Sequence, residues 1–239
     1  MYTNKIVLIT GTSRGVGLEL AKHFINNNAT VIGISRQQNK NFEHSNYHHY
    51  SLDLSNPQSI SDCFRKEIGR DFKTIDIVIN NAAVMTSQYS MIMPLKNMLD
   101  MVNVNLVAVF LVSRESAKLM RGKTPGRIIN IGSMASSLEP VGDAIYAATK
   151  SAINTLANVM AKELSSMNIT CNTVAITAIE TDMLNSHSDV AKEKIKDIIN
   201  SLPVPRIATV DDVVNVIDFF ASEKSSYITG QTIYLGGIN

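Results

Sequence analysis

The sequence predicts a doubly wound α/β domain with about seven parallel strands and helices on both faces. Short β-branched apolar runs alternate with longer segments of helical spacing along the 239 residues, and this alternation is typical of a parallel sheet that is covered on both sides. A chain of this length is large enough to bury a proper core. No linker, repeat or low-complexity tract interrupts the pattern, so we expect one domain over residues 1–239.

The first strand is predicted at residues 5–10, and a glycine-rich turn follows it. The turn reads Gly11-Thr-Ser-Arg-Gly-Val-Gly17 and leads into a helix at 18–27. Such a turn presents backbone N–H groups at a helix N-terminus, where a phosphate binds readily. Gly11 permits the tight turn, while Gly15 and Gly17 permit close approach of a ligand and of the helix. Its place at the first strand–helix junction favours a dinucleotide site over an ordinary glycine-rich turn.

The second strand is predicted at residues 30–35, and Arg36 follows it directly. Sites specific for NAD hold an acidic residue here to bind the ribose 2′-hydroxyl, whereas this chain has Ser35 and Arg36. Arg14, inside the glycine turn, is a second cation on the same side. Because an arginine fork suits a 2′-phosphate, the sequence favours NADP(H) as the cofactor. NAD(H) stays open, with both arginines as solvated surface charges.

A polar loop is expected at 37–45, before a third strand at 47–54. Asp53 could accept a hydrogen bond from an adenine amino group, or it could cap the next helix, since Ser55, Asn56 and Pro57 are helix-start signals. Histidines 44, 48 and 49 cluster here. A fourth metal ligand is missing from the pattern, so surface histidines are the default and no metal site is expected.

An amphipathic helix at 59–71 and a fourth strand at 75–80 precede the segment Asn80-Asn-Ala-Ala83, whose small polar residues could lie against a cofactor. Five methionines between residues 84 and 101 suit flexible core filling, with a soft substrate wall as the alternative. A long helix is predicted at 95–120. Asn105 lies inside it among apolar residues, so its side chain is expected to be buried and to need partners.

The fifth strand, at 127–133, leads to the residues on which the chemistry depends. It ends at Ser133, and a loop with Pro140 and Gly142 follows. Tyr146 and Lys150 then lie four apart, on one face of a helix. An ammonium close to the phenol would lower the pKa of Tyr146, so this tyrosine could exchange a proton with an alcohol or carbonyl oxygen. Ser133 could hold the same oxygen. A Tyr-x-x-x-Lys spacing alone is weak, because any helix can carry it by chance.

The helix that holds Tyr146 is expected to continue through residues 151–167. Further elements are a strand at 169–176, a polar helical stretch at 181–202 that could form a lid, a helix at 210–222 and a last strand at 231–235. In parallel sheets ligands bind beyond the carboxyl ends of the strands. Gly11, Asn80, Ser133 and Ile176 all lie at such ends, so the glycine turn and the proton-transfer residues are predicted to meet at one edge.

Composition excludes several functions. The formal net charge is +1 with both signs interspersed, which gives no electrostatic footprint for nucleic acid or an anionic membrane. Cys63 and Cys171 lie far apart and are expected to be small buried hydrophobes in a reducing compartment. No apolar run approaches membrane-spanning length, and the first residues enter a strand without a signal-peptide layout. We therefore expect a soluble cytoplasmic protein.

Taken together, the motifs resemble those of the short-chain dehydrogenase/reductase family, in its compact type. The resemblance covers nearly the whole chain and is strongest to bacterial 3-oxoacyl-[acyl-carrier-protein] reductases and similar NADPH ketoreductases. Any one motif is weak, but all of them in this order and spacing are highly specific. The matching segments are Thr10-Gly-x-x-x-Gly-x-Gly17, Asn80-Asn-Ala-Ala83, the set Asn105, Ser133, Tyr146 and Lys150, and Ile228-Thr-Gly-Gln-Thr232.

The resemblance implies a Rossmann-type sheet and a role for each motif. Tyr146 would donate the proton, Ser133 would hold the carbonyl oxygen, and Lys150 would lower the pKa of the tyrosine and bind the nicotinamide ribose. Asn105 would hold a water in a proton relay that reaches Lys150. Family members are commonly tetramers, with the helices around Asn105 and Tyr146 at one interface, so a homo-oligomer (dimer or tetramer) is implied. The implied cofactor contacts are Gly11, Ser13, Arg14, Gly15, Val16, Gly17, Arg36, Asp53, Leu54, Asn81, Ala82, Tyr146, Lys150, Ile179 and Thr181.

Two departures from the family pattern affect the expected substrate site. Ala83 replaces a glycine, which is a change of one methyl group. After the sixth strand the family has Pro-Gly, whereas this chain has Ile176-Thr177. A β-branched threonine resists the positive φ that a glycine adopts, so the loop is predicted to follow a different path. Ile179 and Thr181 keep their places relative to that loop.

We therefore expect an NADPH-dependent oxidoreductase that reduces a ketone, or oxidises the secondary alcohol, by hydride transfer with Tyr146 as general acid and base. One alternative is a reductase or dehydrogenase of a sugar nucleotide or a secondary-metabolite intermediate. An alternative of another class is a dinucleotide-binding regulator without catalysis, which would not need the intact set of Asn105, Ser133, Tyr146 and Lys150.

Overall fold

The computed structural model describes residues 2–120, 125–179 and 196–237. Within these ranges seven strands form one sheet, in the order β3-β2-β1-β4-β5-β6-β7, and every neighbouring pair is parallel. The doubly wound parallel sheet predicted from the sequence is confirmed. The strands are Ile6–Thr10 (β1), Thr30–Ser35 (β2), Tyr47–Ser51 (β3), Ile77–Asn80 (β4), Gly126–Ser133 (β5), Ile169–Ile176 (β6) and Thr232–Tyr234 (β7).

The helices are Gly15–Asn26 (α1), Pro57–Cys63 with its continuation to Asp71 (α2), Leu95–Leu119 (α3), Ala135–Leu138 (α4), Ala144–Leu164 (α5) and Val210–Ala221 (α6). All but α4 begin and end near the predicted residues; α4 is a short helix where a loop was expected. Two of the helices contain a π-helical turn: Phe64–Ile68 within α2 and Asn103–Val107 within α3. Most of the predicted 181–202 helix lies outside the described residues.

Alternate residues of the central strands enter two apolar cores, one on each face of the sheet. Leu8 contributes to the core beneath α2, α3 and α5, while its neighbours Val7 and Ile9 contribute to the core beneath α1 and α6. Successive side chains of a strand point to opposite faces, so a strand buried on both faces has a continuous apolar run. This explains why the runs in β1 and β4 lack alternation with polar residues.

The third strand is shorter than predicted. It was expected at 47–54, but it ends at Ser51. The Asp53 carboxylate accepts a hydrogen bond from the Ser55 N–H at 2.9 Å, and this local turn diverts the backbone from the ladder. The side chain of Asn56, rather than that of Asp53, caps α2 by accepting from the Ser59 N–H.

By length and composition alone, α3 could cross a membrane, in contrast to the expectation that no segment approaches that length. Its apolar stretch carries few charges, although asparagines interrupt it. In the fold one side of α3 packs on the sheet: Ala108 and Val112 belong to the core, and Ser113 accepts a hydrogen bond from Asn80. The helix therefore forms a wall of this domain.

The two cysteines, Cys63 and Cys171, are buried and free, as the sequence analysis predicts. Burial raises the pKa of the Cys63 thiol to about 11 and that of the Cys171 thiol to about 12. Both thiols are therefore in their unreactive, protonated form near neutral pH.

A hydrogen bond from Tyr47 of β3 to Thr12 supports the glycine turn. The Tyr47 ring lies against Gly33 of β2, where a Cβ would come within 2.3 Å of the tyrosine oxygen. Its hydroxyl donates to the Thr12 hydroxyl at 2.8 Å. Thr12 is fully buried, so its hydroxyl depends on partners within the protein.

We predict that Tyr47→Phe lowers the free energy of unfolding by about 1–3 kcal/mol, because it leaves a buried hydroxyl unpaired. Urea denaturation measures this change. Tyr50→Phe is the matched control on the same strand: the Tyr50 hydroxyl donates to Asp71 at an exposed position, so a change within about 0.5 kcal/mol is expected. Equal losses in both variants would contradict the prediction.

Candidate active site

The candidate residues gather at the carboxyl edge of the sheet. The order of strands reverses between β1, which pairs with β2, and β4, which leads to β5. Connections therefore leave in opposite directions at this point and open a crevice in which ligands bind. Gly11 follows β1, Asn81 follows β4, and Ser133 ends β5. The structure brings the glycine turn and the proton-transfer residues to one edge, as predicted.

The glycine turn is packed too tightly for larger residues. Gly11 has φ +79°, and a Cβ there would lie 2.9 Å from Asn81 Nδ2 and 3.0 Å from the Ala82 Cα. At Gly17 a Cβ would lie 2.3 Å from the Gly11 carbonyl oxygen. Gly15 has φ +58°. Each of the three glycines therefore meets a requirement of the motif, either a positive φ or close packing.

The segment after β4 is bonded directly to the glycine turn. The Thr10 hydroxyl accepts from the backbone N–H groups of Asn81 and Ala82, each at 3.0 Å. The Asn81 side chain donates to the Thr10 carbonyl at 2.9 Å. These bonds hold two of the implied cofactor-binding segments against each other. From the loop after β2, Asn39 also holds the glycine turn by donating to the Ser13 carbonyl at 2.9 Å.

The N-terminus of α1 is suited to an anion. Arg14 occupies the position before its first residue without a side-chain cap, and the first turn has no acidic residue. The backbone N–H groups of this turn, which include those of Gly15, Val16 and Gly17, therefore lack a competing carboxylate. Together with the room that the glycines leave, this arrangement fits the phosphates of a dinucleotide.

Two exposed arginines border the expected adenosine site. Arg14 and Arg36 are exposed, and neither forms an ion pair with another residue in the described ranges. Backbone bonding to Ser55 is the main cause that holds the pKa of Asp53 below its ordinary value, and the charge of Arg36 adds to this effect. The Leu54 side chain is buried in the core, so only its backbone faces the edge of the sheet.

Ser133, Tyr146 and Lys150 converge at the end of β5 and the start of α5. The Ser133 hydroxyl accepts a hydrogen bond from the Ala135 N–H at 3.1 Å, and it lies near enough to the Tyr146 phenol to lower the pKa of that phenol. Lys150 is 3% exposed, and its ammonium donates to the Ile131 carbonyl at 2.8 Å. Lys150 Nζ lies 5.8 Å from the centre of the Tyr146 ring. Because β5 and α5 each carry part of the set, the fold itself creates this proximity.

Burial is the main influence on the pKa values of Tyr146 and Lys150. Burial raises the pKa of Tyr146, the Ser133 hydroxyl lowers this pKa, and the charge of Asp143 raises it further. Burial also lowers the pKa of Lys150 from 10.5 to about 8. The sequence analysis expected Lys150 to lower the pKa of Tyr146. In the structure the Lys150 ammonium is directed to the Ile131 carbonyl rather than to the phenol oxygen, and Lys150 does not contribute to the pKa shift of Tyr146.

Asn105 is fully buried in the π-helical turn of α3, and its side chain is occupied by protein partners. Its Oδ1 accepts from the Val84 N–H at 2.9 Å, and its Nδ2 donates to the Val84 carbonyl at 2.8 Å. Nδ2 also lies 3.4 Å from the Thr149 hydroxyl. The side chain thus fixes the segment after β4 against α5, a role that the sequence did not reveal.

The loop after β6 accommodates its unusual residues without strain. Left-handed φ occurs among the described non-glycine residues at Asn4, Asn28, Glu139 and Asn168, so Thr177 adopts an ordinary conformation. Ile179 is buried and forms a parallel bridge with Ala208. Thr181, the other implied contact, lies outside the described residues.

The histidines near β3 are dispersed. His44 accepts from the Asn46 N–H, the His48 ring packs against Phe72, and His49 Nε2 lies 2.9 Å from the Ser35 hydroxyl. Burial lowers the pKa of His49. In the described part of the chain no group of three or more His, Cys, Asp or Glu side chains could hold a metal ion.

The sequence analysis did not predict the contact between Asp143 and Ser87, which lies near Tyr146. Asp143, directly before α5, accepts a hydrogen bond from the Ser87 hydroxyl on the segment after β4. The N–H of Gln88 donates to the Gly142 carbonyl at 2.7 Å. A sequence signal for a place of Asp143 near Tyr146 was available: Asp143 lies three positions before Tyr146 and hence on the same side of the helix.

Comparison with known proteins agrees with this site. The family model described as enoyl-(acyl carrier protein) reductase matches residues 11–238. The 3-oxoacyl-[acyl-carrier-protein] reductase FabG of Escherichia coli (strain K12) is 33% identical over 241 residues, covering 99% of this chain and 97% of that protein. The chain belongs to the short-chain dehydrogenase/reductase family. FabG of Aquifex aeolicus is 34% identical over 242 residues, covering 98% of this chain and 96% of that protein.

Solved structures of short-chain dehydrogenases/reductases share this fold over nearly its whole length. Aldohexose dehydrogenase of Thermoplasma acidophilum, in ligand-free form, superposes with a TM-score of 0.88 at 24% identity, covering 99% of this chain and 94% of that chain. A 4-hydroxyisoleucine dehydrogenase complexed with NADH has a TM-score of 0.87 at 26% identity and covers 98% of both chains. Members of the family are NAD(P)-dependent oxidoreductases, so this chain is an enzyme of that class.

The buried lysine yields a prediction about pH. The pKa of Lys150 is about 8 in the folded state against 10.5 for an ordinary lysine, so between these values the unfolded state binds more protons and stability rises with pH. Relative to Lys150→Met, the wild type should gain roughly 3 kcal/mol over this interval. Urea denaturation at several pH values measures the difference.

Lys162→Met, at an exposed position on the same helix, is the control and should differ from the wild type by the same amount at each pH. A difference between wild type and Lys150→Met that stays flat from pH 7 to 11 would contradict the burial of a titrating ammonium.

Proposed function

We propose that this protein is an NADPH-dependent ketoreductase that converts a ketone into a secondary alcohol, with 3-oxoacyl thioesters as the first substrate class to test. The observation that carries the proposal is the convergence of Ser133, Tyr146 and Lys150 beside a glycine turn that fits a dinucleotide. The similarity to the FabG proteins, which are 3-oxoacyl-[acyl-carrier-protein] reductases, supports the substrate class.

The chain's own residues supply proton transfer and orientation. Tyr146 donates the proton to the carbonyl oxygen, and the raised pKa of its phenol keeps it in the protonated form that reduction needs. Ser133, whose hydroxyl lies beside the phenol and lowers its pKa, holds the same oxygen during the reaction. When bound, NADPH supplies the hydride. Lys150, fixed on the Ile131 carbonyl, binds the nicotinamide ribose.

The preference for NADPH rests on Arg14 and Arg36. Both are exposed. Arg36 directly follows β2, where an acidic residue would favour NAD, and Arg14 lies in the glycine turn, whose Gly11 N–H donates to the Ile34 carbonyl of β2 at 2.7 Å. Ser35 cannot play that acidic role, and its hydroxyl is engaged with the Gln37 carbonyl at 2.9 Å. Two guanidinium groups without described ion-pair partners suit a 2′-phosphate.

We also propose a cytoplasmic location and self-association of the chain. The outer side of α3 exposes Leu95, Leu99 and Phe110, and α5 exposes Val159. An apolar surface of this kind on neighbouring helices suits a contact with a second copy of the chain. We therefore propose a homodimer or homotetramer in which these helices pack together.

Tyr146→Phe tests the chemistry. Turnover of acetoacetyl-CoA with NADPH should fall about 10²- to 10⁴-fold, because the variant lacks the proton donor, while cofactor affinity and the circular dichroism spectrum should be retained. Tyr227→Phe, at a tyrosine that is 100% exposed, should keep the wild-type rate. A wild-type rate in Tyr146→Phe would refute the proposed mechanism.

Thermal unfolding with each cofactor tests the preference. NADPH at about one hundred times its dissociation constant should stabilise the fold by roughly 2.7 kcal/mol, and NADH at the same concentration by much less. Arg36→Ser should weaken NADPH binding about tenfold through the loss of a charge-assisted hydrogen bond, with little effect on NADH.

Arg65→Ser is the control for the lost charge, since Arg65 is paired with Asp62 on α2; it should leave both affinities unchanged. Stabilisation by NADH alone would show that Arg14 and Arg36 are surface charges and would favour an alcohol dehydrogenase.

A further inference from the structure

A line of hydrogen-bonded side chains leads from the last strand to the turn that holds Ser133. Ser136, in the short helix α4, donates from its hydroxyl to the Ser133 carbonyl at 2.7 Å. The Ser136 oxygen lies 3.3 Å from the Tyr234 hydroxyl of β7 and 3.4 Å from Asn154 Nδ2 of α5. The Asn154 amide also donates to the Tyr234 oxygen at 3.2 Å. These three side chains lie outside the motifs by which the sequence predicts the site.

The number of available hydrogens gives this line a direction. A serine hydroxyl has one hydrogen to donate, and Ser136 uses it on the Ser133 carbonyl, which is its shortest contact. The Ser136 oxygen therefore accepts from the Tyr234 hydroxyl, and the Tyr234 oxygen accepts from the Asn154 amide. Each donor in the line has a partner, and the line ends on the peptide group of Ser133.

The sheet leaves room for the Tyr234 ring to reach this turn. Tyr234 pairs with Ala175 of β6, which pairs in turn with Gly132 of β5. Residues that pair across parallel strands share a face of the sheet, so the neighbours of Tyr234 in this row are a methyl group and a hydrogen. The ring can therefore pass over β6, and its hydroxyl contacts a residue that lies 98 positions earlier in the chain.

The peptide group of Ser133 decides where its side chain points. Ser133 Oγ accepts from the Ala135 N–H at 3.1 Å, which leaves the hydroxyl hydrogen to donate to a substrate oxygen. Ser151 of α5 adds a second tie to the turn by donating to the Ser136 carbonyl at 3.2 Å. Because α4 has four residues and a single helical turn is not stable by itself, the turn depends on these bonds from α5 and β7.

We propose that Tyr234 and Asn154 are positioning residues that act through Ser133: the line of bonds from β7 and α5 holds the turn so that the Ser133 hydroxyl meets the substrate oxygen beside Tyr146. This inference rests on the proposed function, because the direction of that hydroxyl matters only if it holds the reacting oxygen. A misplacement of about 1 Å at such a group lowers a rate by up to about 10²-fold, so the loss of one bond in the line is measurable in turnover.

A double-mutant cycle tests whether Tyr234 acts through Ser133. Tyr234→Phe removes the hydroxyl and keeps the ring, so kcat for acetoacetyl-CoA with NADPH should fall about three- to tenfold, while the Kd of NADPH stays unchanged. Ser133→Ala by itself should lower kcat about 10²-fold. In that background Tyr234→Phe should cause no further fall, because the hydroxyl that it positions is absent. A tyrosine with a merely structural role would lower kcat by the same factor in both backgrounds.

Two exposed residues supply matched controls. Tyr227 is 100% exposed, and Asn158 is exposed one turn after Asn154 on α5, so Tyr227→Phe and Asn158→Ala should keep the wild-type kcat. Asn154→Ala breaks the line at its first member and should reproduce the fall in kcat, again without a further fall in the Ser133→Ala background. It gives the same readout if Tyr234→Phe does not fold by circular dichroism.

Amide hydrogen exchange measured by NMR examines the turn without substrate or cofactor. The Ala135 N–H donates to Ser133 Oγ, so it should exchange at least about threefold faster in Tyr234→Phe and at the wild-type rate in Tyr227→Phe.

Unchanged exchange of the Ala135 N–H in Tyr234→Phe would overturn the inference, as would an equal fall in kcat with and without the Ser133 hydroxyl. Failure of the proposed function is recognised separately, because Tyr146→Phe would then reduce acetoacetyl-CoA at the wild-type rate whatever the hydrogen exchange shows.

Discussion

The close contact between the glycine turn and the segment after β4 is the constraint on which the rest of the site depends. Gly17 leaves no room for a Cβ beside the Gly11 carbonyl, and the Thr10 hydroxyl accepts from two N–H groups of the facing segment. These contacts bring α1 close to the sheet and keep its N-terminal N–H groups directed to the crevice. A larger residue at either glycine would separate the two walls of the proposed cofactor site.

The second half of the site depends on burial at the start of α5. Lys150, on this helix, and Asp143, directly before it, are both almost inaccessible. The lysine is held by a backbone carbonyl and the aspartate by a serine hydroxyl. Burial is also the main cause that raises the pKa of Tyr146, so the packing of α5 against β5 decides the state of the phenol.

The same packing connects α3 to the residues around Tyr146. Asn105 lies within the π-helical turn of α3, and its side chain bonds both backbone groups of Val84. π-helical turns are frequent at functional sites. Here the turn places a buried amide where it secures the segment that carries Ser87, which in turn bonds Asp143. The wall of the fold and the surroundings of the proposed proton donor are therefore one connected structure.

Three features could be predicted from the amino-acid sequence: the order of strands and helices along the chain, the glycine turn, and the set of Ser133, Tyr146 and Lys150. Apolar runs, glycine spacing and helical periodicity are local properties, so they can be recognised without knowing what packs against them. The second and sixth strands begin and end at the predicted residues. The end of β3 was misplaced because the turn at Asp53 competes with the ladder.

The partners of the buried polar side chains became known from the fold alone. It directs Lys150 to the Ile131 carbonyl, occupies the Asn105 amide with Val84, and joins Ser87 to Asp143. The last two contacts connect residues 21 and 56 positions apart in the chain. Such pairs carry no local signal, since a side chain's partner is chosen by the register of strands and the packing of helices, which emerge only when the whole sheet is assembled.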